Sequence, residues 1–215
     1  MEHYYSAVPT SLSEERQIVY SLEDREFRFW TDHGVFSMER VDHGSDILIR
    51  AVRKEEPCLR GEVVDLGCGY GPIGISLAPL NPLARFRLID VNDRAMDLAR
   101  RNAMENGVEE RVLVGTAQTV LSGSADAVIT NPPIRAGKAV IYDLFRQAHE
   151  WLKPGGRLMW SFVRIRERPR RQRNWKRSLA TVRRWRGSRD FMCCDAKREP
   201  RRNKGSLRRI FLLKP

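Results

Sequence analysis

The sequence predicts an α/β fold: a doubly wound, mostly parallel sheet with a β-hairpin near the N-terminus. Short apolar strand patterns alternate with helical patterns between residues 62 and 163, which is typical of parallel strands joined by helices. A glycine-rich turn joins the first of these strands to the next helix. An acidic residue closes the second strand, as in folds that bind nucleoside cofactors.

The N-terminal extension, residues 1–44, contains the hairpin. REFRFWTD at 25–32 alternates as a strand does, and HGVFS follows it as a turn. GSDILIRAVRK at 44–54 has helical spacing, and Ser45 is its expected N-cap.

The remaining elements lie in the segment 45–163. Strands are predicted at 62–67, 84–92, 111–115, 125–133 and 157–163. Helices are predicted from Pro72 onward, at 93–107 with Asp93 as its cap, and at 138–156. Residues 164–215 form a third, basic segment that does not continue this alternation.

The composition excludes several classes of protein. Of the 215 residues, 41% are hydrophobic and 31% charged, so the chain can form a core. It has no apolar run near the ~18 residues that span a membrane, and its first residues lack the layout of a secretory signal. The four cysteines have no metal-ligand spacing, so we expect no metal site and a reducing compartment, the cytoplasm.

The glycine-rich turn reads DLGCGYGPIG and contains Gly67, Gly69, Gly71 and Gly74. Glycine there lets the backbone turn sharply and lets a ligand approach without a Cβ in the way. Asp90 ends the next strand, 23 residues after Gly67, a spacing at which a carboxylate accepts from both ribose hydroxyls. The pattern favours a nucleoside cofactor over a glycine turn without a ligand.

A second motif, AVITNPPIRAGK, ends the fourth strand of this series. Ligands bind at the carboxyl ends of strands in such sheets. Asn131 offers a side-chain carbonyl, while Pro132 and Pro133 fix φ and hold a backbone carbonyl outward. Two acceptors held together suit a planar amino group, whose nitrogen they would orient for attack.

These motifs together resemble class I S-adenosylmethionine-dependent methyltransferases that act on exocyclic amino or amide nitrogens. The closer resemblance is to the "methyltransferase small" family of ribosomal RNA guanine-N2 methyltransferases, over about residues 3–160. It is carried by HYYS, FWTDHGVFS, VDHGSDILI, VDLGCGYGPIGI, DVNDRAMDLARRNAMENG and, most specifically, NPPIRAGK. The chain has one such domain and looks like the single-domain members.

The resemblance implies roles for residues at matching positions. The methionine end of S-adenosylmethionine would be lined by Asp65, Gly67, Gly69 and Gly71, and the ribose would be bound by Asp90 with Asn92 close by. The target amine would be held by Asn131 and by the carbonyl of Pro132, which Pro133 follows. Closure over the cofactor or base would fall to Phe36 and Ser37, and contact with RNA to Arg135 and Lys138. VGTAQTV after the third strand departs from the family at the adenine-reading position, and we expect Asp42, His43 and His33 to be structural or solvated.

The net charge of +12 is unevenly distributed along the chain. Residues 1–163 carry 19 Lys+Arg and 23 Asp+Glu, whereas residues 164–215 carry 20 and 4. One interpretation is an RNA-binding arm in which Trp175 and Trp185 stack on bases. The other, which we favour, is a reading frame that shifts just after Trp160.

The frame hypothesis rests on the genetic code. The family continues after the fifth strand with text such as RKKQGAPSA, a helix and FGN. Read one frame over, Ile165 through Arg171 permits Gln-Gly-Ala-Pro-Ser-Ala, and Arg177 through Val182 permits Leu-Phe-Gly-Asn-Cys. A tail made this way would not match the fold, would be disordered or poorly folded, and would leave the fifth strand as an exposed edge.

The expected activity is methyl transfer to an exocyclic amine, most specifically guanine N2, with ribosomal RNA or the small ribosomal subunit as partner. Direct displacement would need alignment of the amine and exclusion of water, and no dedicated strong base. The alternatives are a methyltransferase for a protein glutamine or a small-molecule amine, and an inactive RNA-binding product of a frameshifted gene.

Overall fold

A computed structural model of the chain describes residues 13–35, 37–133, 136–163, 182–185 and 191–197. Within them, β3 (Gly61–Leu66), β4 (Ala84–Ile89), β5 (Val112–Gly115), β6 (Ala125–Thr130) and β7 (Leu152–Val163) run parallel. They belong to a seven-stranded sheet of order β5-β4-β3-β6-β7-β9-β8, in which β8 is Val182–Trp185 and β9 is Phe191–Lys197. The predicted doubly wound, mostly parallel sheet is confirmed.

The N-terminal hairpin is also confirmed. Its turn precedes the strand predicted at 25–32, whereas the sequence pattern predicted a turn after that strand. β1 (Arg16–Leu22) pairs antiparallel with β2 (Arg25–Thr31) through a turn at residues 23–24, where Glu23 has φ +53°. Alternate residues of both strands are buried, so the hairpin has one apolar face.

Four α-helices occur in the described residues: α1 (His43–Glu55), α2 (Pro72–Leu77), α3 (Asp93–Glu105) and α4 (Lys138–Trp151). Two of the predicted N-caps are wrong, and in each case the N-cap is an earlier residue. Asp42, not Ser45, caps α1, because its carboxylate accepts from the Gly44 and Ser45 backbone N–H groups. Asn92, not Asp93, caps α3 by accepting from the Ala95 N–H. Among the described residues no helix has the length and apolar character to cross a membrane.

Two hydrophobic clusters cover the two faces of the sheet. Side chains alternate along β3, so Val63 belongs to one cluster and Val64 to the other. The larger cluster joins the hairpin, through residues such as Phe29, to helices α1, α2 and α3. The smaller cluster includes Trp151 of α4. The hairpin therefore shares one core with the central sheet.

The basic segment contributes two strands to this sheet. β9 pairs antiparallel with β7 from Arg157–Lys197 to Val163–Phe191, and β8 pairs with β9. Residues 182–185 and 191–197 therefore match the fold, contrary to the expectation for the tail. The expectation that β7 is an exposed edge is also wrong, because β9 pairs with the N–H and C=O groups of β7. Residues 164–181, 186–190 and 198–215, including Trp175, lie outside the described residues, and the frame hypothesis stays a prediction.

Candidate active site

The strand order brings the predicted site residues to one edge of the sheet. β3 lies between β4 and β6, and Asp65 is in register with Leu88 on one side and Ile129 on the other. The chain leaves β3 at Gly67, β4 at Asp90 and β6 at Asn131. The glycine turn is therefore flanked by Asp90 and by Asn131, at the carboxyl ends where parallel sheets bind ligands.

Three glycines of the turn adopt left-handed backbone conformations, with φ of +72° at Gly67, +57° at Gly69 and +91° at Gly71. A Cβ at Gly71 would lie 2.6 Å from the Ile75 side chain, so this glycine is needed for packing. A Cβ at Gly67 or Gly69 would meet no atom within 4 Å. These two glycines thus leave open space along the turn.

Asp65 is fully buried at the end of β3. Its Oδ2 accepts from the Gly74 N–H at 2.9 Å, whereas Oδ1 has no partner among the described residues. Burial raises the pKa of this carboxyl to about 7; the Gly74 hydrogen bond opposes the rise, and the nearby Asp90 charge adds to it. A buried carboxylate oxygen without a donor is a site where a ligand N–H or a cation gains a strong interaction.

Asp90 follows β4 and is hydrogen-bonded to the glycine turn. Its Oδ2 accepts from the Gly69 N–H at 2.8 Å, and its Oδ1 accepts from the N–H groups of Val91 and Asn92 at 2.8 and 3.0 Å. Burial raises the pKa of this carboxyl, and the same three hydrogen bonds lower it. A carboxylate has about four acceptor positions, so one remains at Oδ2 for a ligand hydroxyl.

Asn92 joins the ribose side of the site to the N-terminal extension. Its Nδ2 donates to the Gly34 carbonyl at 3.0 Å while its Oδ1 caps α3. The loop after β2 is thereby held against the start of α3. Ser37 continues this loop with φ +63°, and its hydroxyl donates to the Arg40 carbonyl at 2.6 Å.

Asn131 is held from three sides. Its Nδ2 donates to Asp42 Oδ2 at 2.9 Å and to Ser45 Oγ at 3.0 Å, and its Oδ1 accepts from Ser161 Oγ at 2.5 Å. A carboxylate only accepts hydrogen bonds, so the amide nitrogen must face Asp42. The carbonyl consequently points the other way, with one lone pair left after the Ser161 bond.

The rest of the motif follows directly. Pro132 is buried, and among the described residues none donates to its carbonyl. The Pro133 carbonyl accepts from the Ala136 N–H at 3.0 Å. Lys138 begins α4 after Gly137, whose φ is +93°. Phe36, Arg135 and the side chain of Lys138 lie outside the described part of the chain, so their predicted roles stay predictions.

Sequence reasoning missed the residues that hold Asn131. Asp42 was expected to be structural or solvated, yet it contacts the predicted catalytic amide 89 residues away. Ser161 could have been found from register, because β6 and β7 pair in parallel with Thr130 opposite Trp160. Asn131, which directly follows β6, and Ser161 of β7 must then be neighbours.

Comparison with known proteins agrees with this architecture. The sequence model of the "methyltransferase small domain" family matches residues 26–192, well over half of the chain. The chain belongs to this family. It is an S-adenosylmethionine-dependent methyltransferase, and S-adenosylmethionine is its cofactor.

Relatives of this methyltransferase differ in length. It is 40% identical to the uncharacterized protein YbxB of Bacillus subtilis, over 77% of the chain and 83% of the relative. It is 34% identical to the ribosomal RNA small subunit methyltransferase C of Actinobacillus succinogenes, over 58% of the chain and 38% of the relative. The chain thus spans less than half the length of that relative.

Solved structures show the same fold. The T. thermophilus 16S rRNA N2 methyltransferase RsmC, in complex with AdoMet and guanosine, superposes with a TM-score of 0.72 over 89% of this chain and 52% of that one, at 20% identity. A putative S-adenosylmethionine-dependent methyltransferase from Methanococcus maripaludis superposes with a TM-score of 0.55 over 78% of this chain and 99% of that one, at 15% identity.

The residues of this methyltransferase fit its cofactor. The Asp65 Oδ1 atom is buried without a donor, and the space beside Gly67 and Gly69 is open. Asp90 keeps one acceptor position on the neighbouring strand end. A polar, amine-bearing group beside Asp65 and a hydroxyl beside Asp90 would complete these atoms.

Proposed function

We propose that this methyltransferase transfers a methyl group to an exocyclic amine of ribosomal RNA, most specifically to guanine N2. The observation that carries the proposal is the orientation of the Asn131 amide. Its carbonyl is the end left for a ligand, so the site accepts a hydrogen bond from its target rather than donating one. A target with a hydrogen-bond donor fits this site, and the N–H groups of an exocyclic amine supply one.

The residues of the chain would act by orientation. S-adenosylmethionine supplies an activated methyl group on a sulfonium. Asn131 Oδ1 and the Pro132 carbonyl would each accept one N–H of the amine, which directs the nitrogen lone pair at that methyl group. As the new N–C bond forms, the bond between the methyl carbon and the sulfonium sulfur would break and leave a neutral thioether. Positive charge would then develop on the amine, and the two acceptors would stabilise it before the proton leaves to solvent.

The cofactor would be held by Asp65, Asp90 and the glycine turn. This part of the site lies toward β4, whereas Asn131 follows β6. The names of the ribosomal RNA relatives support RNA as the class of substrate. These relatives are longer than the region matched here, so RNA remains part of the proposal rather than a property of the family match.

The test is transfer of a labelled methyl group to small ribosomal subunits and to naked ribosomal RNA. Label that is released by nuclease and recovered as N2-methylguanosine supports the proposal. Label that is released by protease, or found only in small molecules, would identify a protein glutamine or a free amine as the target. Asn131→Ala should lower the rate by at least about 100-fold without weakening cofactor binding.

A further inference from the structure

One carboxylate oxygen of Asp42 has two tasks. Asp42 Oδ2 accepts from the Gly44 N–H at 2.8 Å and from the Ser45 N–H at 3.4 Å, which begins helix α1. The same atom accepts from Asn131 Nδ2 at 2.9 Å. The N-terminal extension therefore contacts the residue predicted to bind the target.

Ser45 completes this arrangement from the first turn of α1. It is 5% exposed, and its Oγ takes the second N–H of the Asn131 amide at 3.0 Å. Both amide hydrogens are thus occupied within the protein. A reversed amide would place its carbonyl against the Asp42 carboxylate and would lose the hydrogen bond to it.

We propose that Asp42, assisted by Ser45, is the positioning residue that fixes the Asn131 carbonyl toward the amine substrate. Asp42 does not touch substrate or cofactor in this proposal; it acts only through Asn131. The inference deepens the proposed function and rests on it. Asp42 and Ser45 occupy the nitrogen end of the Asn131 amide, and this leaves the carbonyl end for the substrate.

Two variants separate positioning from helix capping. Asp42→Ser keeps a good N-cap, but its shorter side chain does not reach Asn131. Asp42→Asn keeps a carbonyl oxygen where Oδ2 lies, so it can accept from both Gly44 and Asn131 without the charge. We expect Asp42→Ser to lower kcat about 10- to 100-fold with KM for S-adenosylmethionine unchanged within about twofold. Asp42→Asn should restore kcat to at least about a third of the wild-type value.

A second readout does not depend on methyl transfer. The side-chain amide of Asn131 can be observed by NMR in ¹⁵N-labelled protein and assigned by its loss in Asn131→Ala. In the wild type its hydrogens should be protected from exchange. Asp42→Ser should accelerate their exchange at least about tenfold, and Asp42→Asn should accelerate it far less.

These readouts distinguish two failures. Wild-type protein that methylates no ribosomal RNA would refute the proposed function, and the amide signal would still test Asp42. An unchanged amide signal in Asp42→Ser would overturn the positioning role, as would equal kcat losses in Asp42→Ser and Asp42→Asn. Protection lost and kcat lowered only in Asp42→Ser is the result we expect.

Discussion

Replacing Asp65 by asparagine should change how the stability of the ligand-free protein depends on pH. In the unfolded chain this carboxyl has the ordinary pKa of 3.8, so it is ionised above about pH 5, whereas burial raises its pKa in the folded chain to about 7. Between these values the folded state binds one more proton than the unfolded state. The free energy of unfolding must therefore fall as pH rises, and the fall ends above about pH 7.

The magnitude follows from one proton. Well below pH 7 each pH unit removes about 1.4 kcal/mol, and this slope halves at pH 7, where the folded carboxyl is half ionised. Asp65 therefore costs the folded protein about 2 kcal/mol between pH 5 and pH 7. The asparagine side chain of the variant would not titrate. As pH rises from 5 to 7, the wild type should therefore lose about that much unfolding free energy relative to Asp65→Asn.

Urea denaturation of both proteins at several pH values measures this difference. Asp97→Asn is the matched control, because it removes a carboxylate that is 76% exposed on α3. Identical slopes in wild type and Asp65→Asn would refute a buried, protonated Asp65. If the cationic end of the cofactor meets Asp65 as proposed, cofactor affinity should also fall about tenfold per pH unit below pH 7, and this dependence should vanish in Asp65→Asn.

Three further experiments test other parts of the protein. Gly69→Ala and Gly107→Ala carry similar backbone strain, with φ of +57° and +64° and open space around both, so each should lose about 1 kcal/mol in a melting experiment. Only Gly69→Ala should weaken cofactor binding measured by calorimetry, and equal affinities would remove Gly69 from the site. Asn92→Ser keeps the α3 cap but loses the hydrogen bond to the Gly34 carbonyl. Amide hydrogen exchange should therefore rise at residues 33–35 while α3 stays protected. Unchanged exchange at 33–35 would show that this hydrogen bond does not hold the loop after β2. Resequencing the coding DNA across codons 150–200 should reveal one base gained or lost just after Trp160, and a confirmed frame would end that hypothesis and favour an evolved basic segment.

The order of strands and helices could be predicted because each leaves a local signature. The central parallel strands are buried on both faces and read as apolar runs, as in the stretch around Val63 and Val64. The caps were less accessible. Ser45 and Asp93 have suitable side chains, but capping depends on which residue leaves the helical backbone, and that residue is Asp42 in α1 and Asn92 in α3.

Part of the candidate site could likewise be predicted from the sequence, and part could not. Asp65, Asp90 and Asn131 stand at strand ends, so their convergence follows from the parallel topology alone. The contact of Asp42 with Asn131 joins positions 89 residues apart across two elements. No local pattern encodes such a pair, since it depends on how helix α1 packs on the sheet.

The hairpin shows that the sequence family and the folding unit have different limits. The family match begins at residue 26, inside β2, and so excludes β1. A fragment cut there would uncover Phe27 and Phe29, which are buried in the common core. It would also deprive the buried Asp32 carboxylate of its bonds from Ser13 and the Glu14 N–H. Any transplant or truncation of this methyltransferase must therefore retain the segment 13–25.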